Sequence, residues 1–316
     1  MPRIAETNLL RRLAPLLSLF ILSAIIAWLS PYFLTVENLF AIGLQMSVVA
    51  IMALGQVIVI IAGGIDLSAG SVLGLSGVVA CIVLRAGYPF VVAMFAALLT
   101  GFACGWLNGF FITRGKLPPF IATLGTMGIA RGAALIMTAG VPIFGLPPSF
   151  AALGGGRLFE LIPHPVMITI AVGIVTHFML AHTRLGRHAF AIGGNAEAAR
   201  LAGVPVNRVK QILYTFCGTT CGLAGLILAS RLNSGQPTAG AGYELDVIAA
   251  CVIGGASLSG GEGTVAGALI GALIMGVLRN GCNLLDISAF WQQVAIGAII
   301  IIAVFIDQTR RARDSG

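Results

Sequence analysis

TRLGRHAFAIGGNAEAARLAGVPVNRVK, residues 183–210, is the longest polar run in a chain that is otherwise largely apolar. Its ionic residues are strongly biased: Arg184, Arg187, Arg200, Arg208 and Lys210 stand against the single acid Glu197. A basic loop of this length between apolar segments is expected on the cytoplasmic side of a membrane, where Lys and Arg are retained during insertion. Its middle reads as a short helix. Asn195 can cap it, Glu197 sits in the first turn where the helix dipole favours an acid, and Gly203 with Pro205 ends it. A helix this small buries little area of its own, so its shape makes most sense if another protein receives it.

Working outward, hydrophobic residues make up 58% of the 316 and charged residues 9%, and the mean hydropathy is +1.01. A soluble domain cannot carry that balance on its surface. At roughly 20 residues per helical crossing of a ~30 Å core, the apolar length allows about eight to ten spans. The 42 glycines fit such a bundle, since small residues let membrane helices approach closely. The expected fold is all-α: a polytopic integral membrane protein of about ten transmembrane helices with broken or re-entrant segments, forming one domain over residues 1–316. The net charge of +7 points to anionic lipid and topology rather than to nucleic acid, because the basic residues cluster beside the spans. The six cysteines show no CxxC or metal-ligand spacing and read as reduced packing residues, Cys217 and Cys221 among them. Arg3, Arg11 and Arg12 before an apolar run imitate a signal peptide, but no small-residue cleavage site follows, so the run reads as a retained first span.

In chain order the expected spans are 13–29, 46–62, 70–84, 89–113, 120–138, 166–181, 212–229, 245–252, 265–277 and 289–306. Residues 30–39 are read as a short external segment and 139–163 as an external loop rich in Gly and Pro. The second span breaks at Gly63-Gly64. The eighth is too short to cross unaided and ends at Gly254-Gly255, so it reads as broken or partly re-entrant; such breaks must face protein or a water-lined cavity. With both termini inside, thirteen of the eighteen Lys and Arg fall on cytoplasmic segments, which favours an even number of spans. GGIDLS at 63–68 and GGASLS at 254–259 agree at four of six positions. This is either a trace of internal duplication, common in transporters, or two glycine-rich breaks with similar needs.

Glu197-Ala198-Ala199, with Gly203 after three further residues, resembles the EAA signature of importer-type ABC permeases. GGIDLSAGS at 63–71, TRLGR at 183–187 and QPTAGAGYELDVIAACVIGGASLSGGEG at 236–263 resemble the ribose and related sugar permeases, over roughly 30–307. One departure is that the Ile-x-Leu-Pro ending of the EAA pattern is here Leu213-Tyr214-Thr215-Phe216. The resemblance implies a permease subunit in the bacterial inner membrane, translocating a monosaccharide or related small polar solute. It implies a second permease copy, identical or paralogous, a cytoplasmic ABC ATPase subunit that binds the ATP and Mg, and a periplasmic sugar-binding protein. Gly194, Asn195, Glu197, Ala198, Ala199 and Gly203 would then form the surface that couples to the ATPase.

Enzyme chemistry finds nothing to hold: the chain has no HExxH, GxSxG or Walker-type motif, and His164, His177, His182 and His188 form no metal-like constellation. No cofactor or metal is expected in this chain. Polar residues inside spans are the better lead, since a charge at the bilayer centre costs ~2.5 to 3.5 kcal/mol on insertion scales. Asp66, Arg131, Glu244 and Asp246 qualify, with capping or pairing as the plainer reading of each. For a sugar path, amides and aromatic faces are wanted, and Gln56, Asp66, Asn108, Asn283, Trp291 and Gln292 are the candidates. A stand-alone secondary transporter or solute channel is the alternative, although only Asp66 could serve a proton relay.

Overall fold

In lipid every backbone N–H and C=O must be satisfied within its own segment, so apolar runs become helices. A computed structural model describes residues 2–160 and 162–314. Its helices are α1 (Pro2–Leu29), α2 (Val36–Ile61), α3 (Ala69–Arg85), α4 (Phe90–Thr113), α5 (Pro119–Thr138), α6 (Ala151–Gly155), α7 (His164–His182), α8 (Arg184–Gly194), α9 (Ala196–Leu201), α10 (Val206–Leu232), α11 (Tyr243–Ile253), α12 (Val265–Leu284) and α13 (Ala289–Asp314). Each of the ten expected spans falls on one of these helices. Six, namely α2, α4, α5, α7, α10 and α12, are long and apolar enough to cross a membrane by length and composition. Of the arginines that bracket the chain at 3–12 and 310–313, only the helical backbone is described.

Three local readings are corrected. Helix α2 starts at Val36 rather than near Met46, because Thr35 Oγ1 accepts the Asn38 amide at 3.4 Å and draws the last four residues of the supposed external segment into the helix. The polar stretch after Thr183 forms a second helix, α8, whose Gly186, Ala189 and Ile192 are buried while Arg184 and Arg187 face outward. The loop 139–163 is partly ordered, by a 3₁₀ turn (Pro148–Phe150), α6, and two short antiparallel strands, β1 (Arg157–Leu158) and β2 (Ile162–Pro163), which depart slightly from an all-helical chain.

The core is built around α2. From Met46 to Ile61 every residue of this helix is buried, as suits a helix that is apolar on all sides. It packs against α10, α12, α7 and α11. The outer helices show the reverse of a soluble surface: Phe95 and Leu99 on α4, Ile129 and Ile136 on α5, and Ile174 and Phe178 on α7 are exposed, as a lipid-facing surface requires. A long, close seam joins α4 to α10. Gly101, Gly105 and Gly109 of α4 lie against Gly218, Gly222 and Gln211, and a Cβ on Gly222 would sit 2.7 Å from the Ala97 carbonyl oxygen. Small residues four apart let the two backbones touch.

Helices α2 and α12 run antiparallel. At one end, here called the near end, Gly261 N donates to Ile61 O at 2.9 Å. At the far end Asn38 and Asn280 exchange two amide hydrogen bonds of 3.0 and 2.7 Å. Two crossings are interrupted. Residues 62–68 turn back from α2 into α3, and residues 233–242 lead from α10 into the eleven-residue α11.

Candidate functional site

The small helix α9 forms as its residues dictate. Asn195 Oδ1 accepts the Ala198 amide at 2.9 Å, and Gly203, at φ +84°, reverses the chain while its N–H returns to Arg200 O at 3.0 Å. Glu197 and Arg200 pair at 2.7 Å in the open, a contact worth little in water. Gly194, Asn195, Glu197 and Ala198 are exposed, Ala199 is buried, and Leu201 stands 82% exposed. The element is thus a peg rooted through Ala199, with a charged and apolar tip. Beside it, α4 and α10 open a groove of about 1480 Å³ walled by Phe102, Trp106 and Phe110 and rimmed by Arg114, Arg200 and Arg208.

What lies beneath the peg is backbone on backbone. Gly193, one residue before the end of α8, abuts the Ile61 carbonyl and the Gly261 amide so closely that no Cβ fits. A Cβ on Gly260 (φ +86°) would sit 2.9 Å from Gly193 Cα and 3.0 Å from Gly63 Cα. Three glycine-rich stretches that the sequence holds far apart, at 63–64, 193–194 and 260–261, therefore meet in one junction at the near end. No side chain stands between the end of α8 and either the end of α2 or the turn before α12.

The six residues read as a sugar path separate into two groups. Asp66 and Asn108 come together in the core: Asp66 Oδ1 accepts from Ser68 N (2.8 Å) and Ser68 Oγ (2.6 Å), and Asn108 Nδ2 donates to Asp66 Oδ2 (3.3 Å) and Ser68 Oγ (2.9 Å). Asp66 is 1% exposed, so this cluster closes the start of α3. Gln56 lies nearby, accepting a weak 3.7 Å contact from Cys217 Sγ, its Nε2 without a partner. Asn283, Trp291 and Gln292 sit instead at the α12–α13 turn at the far end. There Gln292 Nε2 donates to Asn283 Oδ1 (2.9 Å) and Ile287 O (3.1 Å), and Trp291 is exposed.

The other intramembrane charges find partners. Asp246 receives both of its oxygens' bonds from Arg279 Nη2 at 2.9 and 2.6 Å. Arg131 Nη1 donates to Pro237 O at 2.7 Å and Ala239 O at 2.8 Å. Sequence reading flagged Asp246 and Arg131 without their partners, since i to i+33 and i to i+106 contacts leave no local pattern. The glycine junction was missed for the same reason, although its three Gly-Gly pairs were visible. Among the described residues no group of three or more His, Cys, Asp or Glu could hold a metal.

Residues 38–304 match the family described as "Branched-chain amino acid transport system / permease component". The ribose import permease protein RbsC of Escherichia coli K12 is 46% identical over 300 residues, covering 94% of this chain and 93% of that protein. RbsC of Bacillus subtilis 168 is 44% identical over 311 residues, covering 98% and 97%. The L-arabinose transport system permease protein AraH of Escherichia coli K12 is 43% identical over 293 residues, covering 93% and 88%. No solved structure matches. A family match over most of the length, relatives similar from end to end and a bundle of apolar helices agree: the chain is a multi-pass membrane permease and belongs to the branched-chain amino acid transport system / permease component family.

Proposed function

We propose that this permease is the membrane-spanning subunit of an ATP-driven importer in the bacterial inner membrane, carrying a monosaccharide or related small polar solute. The family's description speaks of amino acids, but the relatives at 43–46% identity are named for ribose and arabinose, which favours a sugar. Ten crossings are assigned to α1–α5, α7 and α10–α13, with the near end and both termini in the cytoplasm. Arg114, Lys116 and the basic stretch 183–210 gather at that end, which supports this orientation. A cytoplasmic ATPase subunit holds ATP and Mg and receives α9. A periplasmic binding protein delivers the sugar at the far end, and a second permease copy, identical or paralogous, completes the path.

One observation carries the reading: an exposed, capped peg whose root presses glycine backbone onto the end of α2 and the turn before α12. Closure of the ATPase pair moves the peg, and the junction passes that movement to α2 and α12. Coupling of this kind requires that nucleotide and solute each bind the two arrangements with different affinity. The test is uptake into vesicles holding the permease with its ATPase and binding protein. Glu197→Lys, and separately Gly203→Trp at a positive-φ position that disfavours any side chain with a Cβ, should leave insertion and ATP hydrolysis intact and abolish uptake. Full uptake in both variants would remove the coupling role, and sugar movement by the permease alone would favour a stand-alone transporter.

A further inference from the structure

The stretch between α10 and α11 is not a loop outside the membrane. After the far-end turn at Asn233, a Cβ on Gly235 would sit 2.8 Å from Cys81 Cβ on α3, and a Cβ on Gly74 would sit 2.8 Å from Ala239 O. Gly240 then lies against Gly70, in the first turn of α3. The chain thus descends alongside α3 from Cys81 to Gly70, eleven residues of helix or ~16 Å, without being helical itself. Helix α11 completes the crossing to the near end, where Gly254 packs on Gly267.

Most of this descending backbone is satisfied by protein: Gly235 exchanges bonds with Ile143, and Ala239, Ala241 and Tyr243 donate back to Gln236, Thr238 and Gly240. The Arg131 guanidinium reaches from the middle of α5 to two of its carbonyls, and Gly242 N donates to Glu244 Oε1 at 3.3 Å. One face of the segment looks outward. Thr238, Ala241 and Leu245 are exposed along this face, and the Thr238 hydroxyl has no hydrogen-bond partner among the described residues. Interrupted backbone at this depth is tolerated only where protein buries it or water reaches it, because hydrocarbon can satisfy neither N–H nor C=O. Two acids neighbour this face: Asp246 is buried and paired with Arg279, and the half-buried Glu244 accepts the Gly242 amide, so the exposed positions Thr238 and Ala241 present a hydroxyl and peptide groups rather than a charge. That surface suits an uncharged polyhydroxy solute, which exchanges water for weak hydrogen bonds without being trapped.

We infer that the face of residues 236–245 lines the water-filled solute path, with Thr238 as a solute-contacting residue and Arg131 as the positioning residue that holds the segment's carbonyls away from it. This rests on the import function proposed above, but exposure to water can be tested apart from it. In the assembled transporter in lipid, Thr238→Cys and Ala241→Cys should react with a small membrane-impermeant thiol reagent above the wild-type background. Phe95→Cys, on the lipid-facing surface of α4, should not. Thr238→Cys and Ala241→Cys labelling no faster than Phe95→Cys means that lipid or a second copy covers the face, and the inference falls. Labelling in a preparation that shows no ATP-driven uptake would sink the import reading while leaving the path in place. With ribose as the probe solute, Thr238→Val should raise the uptake KM or lower its rate about fivefold, as loss of one neutral hydrogen bond predicts, with ATP hydrolysis unchanged and Thr238→Ser restoring uptake. Unchanged uptake in Thr238→Val would remove Thr238 from contact with the solute.

Discussion

The interruptions at 62–68 and 233–242 solve the same problem in opposite ways. Both break a crossing, both free peptide groups inside the bundle, and both lead into a short helix, α3 or α11. The first is sealed: Asp66 accepts the bonds that the turn offers, Asn108 closes over it, and the cluster is buried. The second is sealed on one side only, by Arg131, and leaves Thr238 and Ala241 uncovered. The two touch where Gly70 meets Gly240. The closed break thus forms a packed wall beside the open one.

The sharpest way to collapse the contrast is to open the closed break. Asp66→Ala removes the acceptor for the Ser68 amide, the Ser68 hydroxyl and Asn108 Nδ2 in one step, at positions no water reaches. Leaving several buried donors unpaired costs about 4 kcal/mol. The expected outcome is a large drop in melting temperature in detergent and little recoverable monodisperse protein. Normal thermal stability would mean that the Asp66 cluster does not hold the start of α3.

Releasing the half-closed break should be milder. Arg131→Ala deprives Pro237 O and Ala239 O of a charged donor, worth about 3 kcal/mol together, but these carbonyls lie beside a face that water reaches and can recover part of the loss. Inserted protein should therefore persist while uptake falls at least tenfold. Arg131→Lys should restore part of the uptake, since an ammonium can reach one carbonyl but lacks the guanidinium's planar fork. Equal uptake in wild type and Arg131→Ala would show that the segment keeps its shape without the clamp.

How much of this was legible follows from the range of each interaction. The cap at Asn195, the turn at Gly203 and the breaks at Gly63 and Gly254 depend on neighbours within a few residues, and all stand where the sequence put them. Helix α8 was read as loop because its basic face outweighs three buried positions, Gly186, Ala189 and Ile192. The junction of Gly193 with Gly63 and Gly260, the Asn38–Asn280 pair and the Arg131 clamp join residues far apart along the chain. Nothing in a local pattern announces them. The polar residues proposed as a path were correctly singled out as unusual, but an unusual residue in a span has two explanations. For Asp66 and Asn108 the hydrogen bonds now favour the structural one.

Gln56 decides whether that explanation extends to the whole core group. It is fully buried on α2 less than two helical turns from the first break, its Oε1 meets only a thiol at 3.7 Å, and its Nε2 meets nothing. If the closed break is purely structural, replacing this amide by an apolar side chain of similar length removes an unpaired polar group and loses only the weak thiol contact. Gln56→Leu should then change stability by under about 1 kcal/mol, in either direction, and leave uptake at the wild-type rate. If instead the sugar passes through the centre of the single permease, Gln56→Leu should fold normally and transport poorly. Uptake and melting temperature measured on the same preparation separate the two, and slow uptake with an unshifted melt would move the path from the open break to the closed one.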